Sequence, residues 1–200
     1  MGLRVVEAAP QSEADLIAGC IRGDRNAERE LFRREYGRVH ALVYRLLGST
    51  REIDDIAQDT FIAVFRALPR FRGEAKLTTW IDRITVRIVF DHIGARKRVP
   101  IPVETVFDRP DPGAISEDRA QAREGLRRLY ATLTALTPDA RLAFALYAID
   151  GRSIAEVAAI THVTSVTAKL RIWRARRELL RRAEADPVLR DYLATHREAR

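Results

Sequence analysis

Apolar residues recur along this chain at steps of three and four, the spacing that puts them on one face of an α-helix. Leu16 and Cys20 follow Ser12 and Asp15, a capping pair that predicts a short helix to about Arg22. Asp24 is placed to cap a second helix, carrying Phe32, Tyr36, Val39, Val43 and Leu46 and ended by Gly48. Ile53, Ala57, Val64 and Leu68 predict a third helix over about 51–68, closed by Pro69. After a loop over 70–76, Leu77, Ile81, Ile84 and Ile88 predict a fourth. A second block opens near Ser116, runs to about Ala135, breaks at Thr137-Pro138 and resumes to Ile149. Two more helices follow, over 153–160 and about 165–182, and a last short one is expected from Pro187. No run alternates with the period of two that marks a strand, so the fold class is all-α.

Proline placement divides the chain. Pro100, Pro102, Pro110 and Pro112 crowd between Val99 and Gly113, where each removes an amide donor and biases its predecessor away from helix. That stretch also carries Glu104, Asp108 and Asp111. The expected organisation is a disordered terminus at 1–11, a helical domain at 12–98, a Pro-rich acidic linker at 99–115, a second helical domain at 116–182, and an extension at 183–200. An extended linker of that length spans about 50 Å.

Charge points to a partner. Among 200 residues, 35 Lys and Arg against 28 Asp and Glu leave a net +7, the balance of a chain that meets a polyanion. Cys20 is the one cysteine, which excludes an intramolecular disulfide or a thiolate zinc site and suits a reducing, cytoplasmic compartment. The longest apolar run, 142–149, is far too short to cross a bilayer, so no membrane insertion is expected.

The densest chemistry lies between Gly151 and Arg177. Ser153 and Glu156 form a capping box opening a helix of barely two turns, and Thr164 is placed to cap a longer one. A short helix, a tight turn and a longer helix make a helix-turn-helix, whose second helix enters the DNA major groove. Ala168, Ile172, Ala175 and Leu179 face inward; Ser165, Val166, Lys169, Leu170 and Trp173 face out, with Arg171, Arg174 and Arg177 close by. Arg and Lys there suit phosphates, and Arg also reads guanine edges.

The first block carries two further surfaces. Asp54, Asp55, Gln58 and Asp59 cluster on one side of the third helix. Such acid on a basic DNA binder repels phosphate and suits a protein partner, with Phe61 and Ile62 as apolar area. On the fourth helix Thr79, Arg83 and Arg87 form a stripe leading to Arg96, Lys97 and Arg98. Phe71 and Trp80 flank it beside the loop ending at Lys76; an aromatic face can stack on an unpaired base, while Trp80 equally suits packing beside Ile84.

These motifs resemble those of extracytoplasmic-function (ECF) sigma factors. Residues 151–177 and the preceding Leu136-Thr137-Pro138-Asp139-Ala140-Arg141 are similar to that family's region 4. Asp55-Ile56-Ala57-Gln58-Asp59-Thr60-Phe61, Phe71-Arg72-Gly73 and Leu77-Thr78-Thr79-Trp80-Ile81-Asp82-Arg83-Ile84 are similar to its region 2. The resemblance implies a subunit that binds bacterial RNA polymerase core, brings it to promoters and starts transcription, commonly under an anti-sigma factor. It implies core contact at Asp54, Asp55, Gln58, Asp59 and Phe61. Contact with the −10 element falls to Lys76, Thr79, Trp80, Arg83, Arg87, Arg96, Lys97 and Arg98, and with the −35 element to Thr164, Ser165, Thr167, Lys169, Arg171, Arg174 and Arg177. No catalytic residue, metal or cofactor is implied. Two positions depart from the pattern. His162 stands where the family usually has Gly in the helix-turn-helix turn, and a rearranged turn is expected, because His takes positive φ less readily. Arg87 stands where Asn is common.

Two other functions account for parts of the pattern. A helix-turn-helix regulator without polymerase contact explains the second block and leaves the acidic patch unexplained. A metal-dependent nuclease needs carboxylates converging from several elements. Here Asp54, Asp55 and Asp59 share one helix, and His40, His92, His162 and His196 lack ligand spacing.

Overall fold

In the computed structural model the described residues are 12–49, 52–95 and 117–195. The expected terminus at 1–11, the linker at 99–115 and the Arg96-Lys97-Arg98 cluster lie outside them. Several helices start where a local side chain satisfies orphan backbone amides. Ser12 Oγ accepts from the Asp15 amide at 3.1 Å and starts α1 (Glu13–Ile21). Asp24 accepts from the Asn26 amide at 2.8 Å and starts α2 (Arg25–Leu47), which Gly48 ends in the left-handed region. Then come α3 (Ile53–Ala67), a 3₁₀ turn at Leu68–Arg70, and α4 (Leu77–Ala95).

The second block opens with α5 (Glu117–Leu133). Thr137 caps α6 (Pro138–Phe144), with Pro at its first position, where its missing amide costs nothing. One turn of π-helix, Ala145–Ile149, follows; the Asp150 amide reaches back to Ala145 O and the Arg152 amide to Leu146 O, both at 2.9 Å. The Ser153–Glu156 capping box starts α7 (Ile154–Ile160), Thr164 starts α8 (Ser165–Ala183), and α9 (Pro187–Thr195) completes the order. Among the described residues there is no strand. In α9, Leu189 is fully buried and Tyr192 lies against Gly125 of α5, where a β-carbon would come within 2.3 Å of the ring. The extension is thus part of the second block's packing.

The turn between α7 and α8 corrects the expectation. His162 sits at φ 53°, the left-handed conformation a glycine would take, and the turn is retained. The Val163 amide reaches Ala158 O at 3.0 Å and the Thr161 amide reaches Val157 O at 2.9 Å. The longer of these wraps is the Schellman motif, which needs one left-handed residue just past the helix end. The bonds it makes hold His there at a cost of about 1 kcal/mol.

The sequence patterns each block separately, whereas the structure packs them together. Buried residues of α1–α4 run without a break into Leu142, Ala143, Leu146, Val157, Ile160, Ala168 and Ile172 of the second block. Around this apolar core the contact is polar. The C-terminus of α2 carries orphan carbonyls, and the second block caps them: Tyr130 Oη donates to Arg45 O at 2.8 Å, and Arg141 donates to Leu47 O at 3.0 Å. Gly48 makes this approach possible, since a β-carbon there would lie 2.2 Å from the Tyr130 ring. Burial drives the Arg141 guanidinium down to about 10 and pushes the Tyr130 hydroxyl up.

Candidate polymerase and promoter surfaces

Three surfaces carry the chemistry anticipated from the sequence. The first is the outer side of α3. Ile53, Ile56, Ala57, Thr60, Phe61 and Val64 turn inward, which leaves Asp54, Asp55, Gln58 and Asp59 exposed. Asp54 accepts from Tyr36 Oη at 2.9 Å, so α2 fixes one member of the acidic row. Phe61 stands apart from the expectation, being only 3% exposed. It props Phe32 instead, ring centroids 4.7 Å apart, and Phe32 meets Tyr36 at 5.0 Å. The apolar surface beside the acids therefore comes from Phe32 and Ile62, each about two-fifths exposed. Phe32 and Tyr36 were legible as a helical pair; nothing in the pattern said that Phe32 stays in water.

The second surface is α4 with the loop before it. Lys76 and Arg87 are exposed, while Thr79, Trp80 and Arg83 are half-buried. The Trp80 and Phe71 rings meet at 5.1 Å, both leaning on the core. Arg83 is covered enough that its Nε is buried without a hydrogen-bond partner among the described residues. Its neighbour Asp82 is buried more deeply still. Asp82 is 1% exposed and lies where α6 and α7 pack on α4. It accepts from Arg38 of α2 and, at 3.0 Å, from Arg152 of the second block. Arg152 also donates to Asp150 at 2.6 Å, and Asp150 pairs with Arg45 of α2. Burial pushes the Asp82 carboxyl above its ordinary range, and the two guanidiniums pull against that shift. Three Arg and two Asp thus form one linked ionic cluster joining the two blocks. Sequence reasoning assigned Asp82, Asp150 and Arg152 no role.

The third surface is α8. Ala168, Ile172, Ala175 and Leu179 are buried, as their spacing required. Ser165, Lys169, Arg174 and Arg177 are exposed. Thr164 accepts from the Thr167 amide at 3.2 Å, and the two hydroxyls lie 3.0 Å apart, so both serve the start of the helix. Arg171 is turned inward onto Asp139 of α6 at 2.8 Å. Arg177 lies over the Trp173 ring, 5.4 Å from its centroid.

Among the described residues, no three His, Cys, Asp or Glu side chains converge as metal ligands, and no helix is long and apolar enough to cross a membrane.

Comparison with known proteins covers both blocks. The Sigma-70 region 2 family matches residues 31–99, and the Sigma-70, region 4 family matches residues 126–179. The chain is 31% identical over 172 residues to the ECF RNA polymerase sigma factor SigM of Mycobacterium tuberculosis, covering 86% of this chain and 84% of that one. It is 32% identical over 170 residues to the ECF RNA polymerase sigma-E factor of Escherichia coli, covering 80% and 88%. Among solved structures it is similar to CnrH in complex with the cytosolic domain of CnrY, with a TM-score of 0.57, 28% identity, and coverage of 86% of this chain and 96% of that one. The sigma factor RpoE of Bartonella quintana, solved with the anti-sigma factor NepR, shares the fold at a TM-score of 0.53 and 21% identity, over 79% and 97% of the two chains. With likeness of this extent running through both helical blocks, the chain belongs to the ECF RNA polymerase sigma factors.

Proposed function

We propose that this sigma factor meets core RNA polymerase through the outer side of α3 and meets promoter DNA through α4 and α8. Asp54, Asp55, Gln58 and Asp59 offer the polymerase charge and hydrogen bonds, and Phe32 and Ile62 offer it apolar area. Arg87, Lys76 and the cluster at Arg96, Lys97 and Arg98 hold phosphates around the −10 element, joined by Thr79 and Arg83. Trp80 with Phe71 gives a base displaced from the stack an aromatic surface. Ser165, Lys169, Arg174 and Arg177 meet the −35 element, Thr164 and Thr167 set where α8 begins, and Arg171 holds α8 to α6. The observation that carries this reading is the sorting of exposed charge, acid on α3 and base on α4 and α8.

The packing of the second block on α4 adds a step. Asp82 of α4 is bound by Arg152 of the second block, and α6 and α7 pack on α4, so full use of α4 requires the two blocks to part, with the segment at 99–115 as the tether. Core binding on α3 then accompanies opening. CnrH was solved with the cytosolic domain of CnrY, and RpoE with the anti-sigma factor NepR, which supports control of this chain by an anti-sigma factor that holds the closed packing. The protein acts in the cytoplasm as an initiation factor and carries out no catalytic step itself.

Run-off transcription with purified core on a genomic promoter pool tests this. Transcripts that depend on the added chain are the expected result, and Asp55→Ala with Gln58→Ala weakens core binding about tenfold while leaving DNA binding by α8 unchanged. Equal core affinity for that double variant contradicts the docking assignment.

A further inference from the structure

Four large apolar side chains stand in water along α8, and three of them belong to its first half: Val166 at 78% exposure, Leu170 at 43% and Trp173 at 53%. Steps of four and three put them in one line, on the side opposite Ala168, Ile172, Ala175 and Leu179. Lys169 lies on one flank of the line and Arg174 on the other. A helix face that meets only solvent has no use for such a row, and one that meets only phosphate needs none of it.

The position of the row selects its counterpart. It starts at Val166, the second residue of the helix, and the first turn of a helix-turn-helix second helix is the part that reaches base edges. Polar readers are scarce in that turn. Thr164 and Thr167 direct their hydroxyls at each other, Thr164 caps the helix, and Arg171 is bound to Asp139. The major groove offers only one apolar group, the 5-methyl of thymine. Flanking cations match the phosphates that border the groove, a complementarity that favours DNA over a protein surface.

We propose that Val166 and Leu170 read thymine methyl groups on neighbouring steps of the −35 element, giving this sigma factor a preference set by apolar contact more than by hydrogen bonds. Trp173, held by the Arg177 guanidinium above its ring, continues the row toward the groove's edge. This inference rests on the promoter reading above and assigns its chemical basis. Enclosing one methyl group is worth about fourfold in affinity.

The experiment uses the full chain reconstituted with core polymerase. DNA carrying a randomised −35 element is selected by binding, and thymines of the best site are then replaced singly by deoxyuridine, which removes the methyl and keeps every hydrogen-bonding group. The expected result is a loss of about fourfold at one or two positions for the wild type, and no difference between thymine and uracil there for Val166→Ala or Leu170→Ala. Both side chains are exposed, so these variants keep their melting temperature. Equal binding of thymine and uracil sites by the wild type overturns the inference and leaves the apolar row as a protein-docking surface. A thymine preference that persists in both variants overturns it too. Recovery of no preferred sequence removes the promoter reading itself, and this inference with it.

Discussion

The two helices proposed to meet DNA differ in how ready they are. On α8 the outward row from Ser165 to Arg177 stands open, and one basic member, Arg171, is committed to the fold. On α4 the basic stripe is partly closed off: Arg87 is exposed, but Arg83 is half-buried and its neighbour Asp82 is sealed by Arg38 and Arg152. The difference comes from what lies behind each helix. The inner side of α8 is satisfied by its own block, through small residues that allow close packing. The inner side of α4 includes a carboxylate that only cations from elsewhere can neutralise, and one of those cations belongs to the other block. A buried carboxylate is costly unless paired, so α4 and the second block are tied by the charge each would otherwise leave uncompensated.

Removing that tie has the largest expected effect. Arg152→Ala strips a partner from both Asp82 and Asp150 and weakens the closed packing by roughly 2–3 kcal/mol, below the value for fully buried pairs because Arg152 is a quarter exposed. Small-angle scattering then shows a larger radius of gyration, and amides of α4 exchange faster; an unchanged radius breaks the comparison. Next come the cations of the open face. Arg174→Ala and Lys169→Ala each lower the salt dependence of DNA binding by about one unit of slope, whereas Arg171→Ala leaves the slope unchanged. A drop for Arg171→Ala would mean that its pair with Asp139 gives way on DNA. The smallest effect is local. His162→Gly relieves a left-handed His and stabilises the chain by about 1 kcal/mol, read as a melting temperature some 2–4 °C higher. A lower melting temperature would show that the His side chain itself holds the turn.

What the sequence made legible was whatever depends on near neighbours. Ser12, Asp24, Ser153 and Thr164 begin helices because capping reaches only two or three residues. The inward row of α8 followed from spacing alone. The contact between blocks was hidden because its bonds join residues far apart in the chain: Arg141 and Leu47 are separated by 94 positions, Arg152 and Asp82 by 70. A motif such as Trp80-Ile81-Asp82-Arg83 shows a carboxylate in an apolar helix and does not show which guanidinium will meet it. Phe61 and Ile62 make the same point at short range. Both are apolar and adjacent, yet the first fills the core beside Phe32 of α2, on the face of Ala57 and Val64, and the second faces water. At His162 the composition of the turn was misleading, since the backbone wrap that closes α7 requires a left-handed residue whichever side chain stands there.

The central claim is that the two blocks rest against each other in the free chain and part when polymerase takes α3. Energy transfer between dyes at Arg29→Cys on α2 and Ala194→Cys on α9, both exposed positions, with Cys20 replaced by Ser, measures this directly. The account predicts efficient transfer in the free protein and a clear fall on adding core polymerase. Transfer that stays unchanged in a complex that goes on to initiate transcription would contradict it.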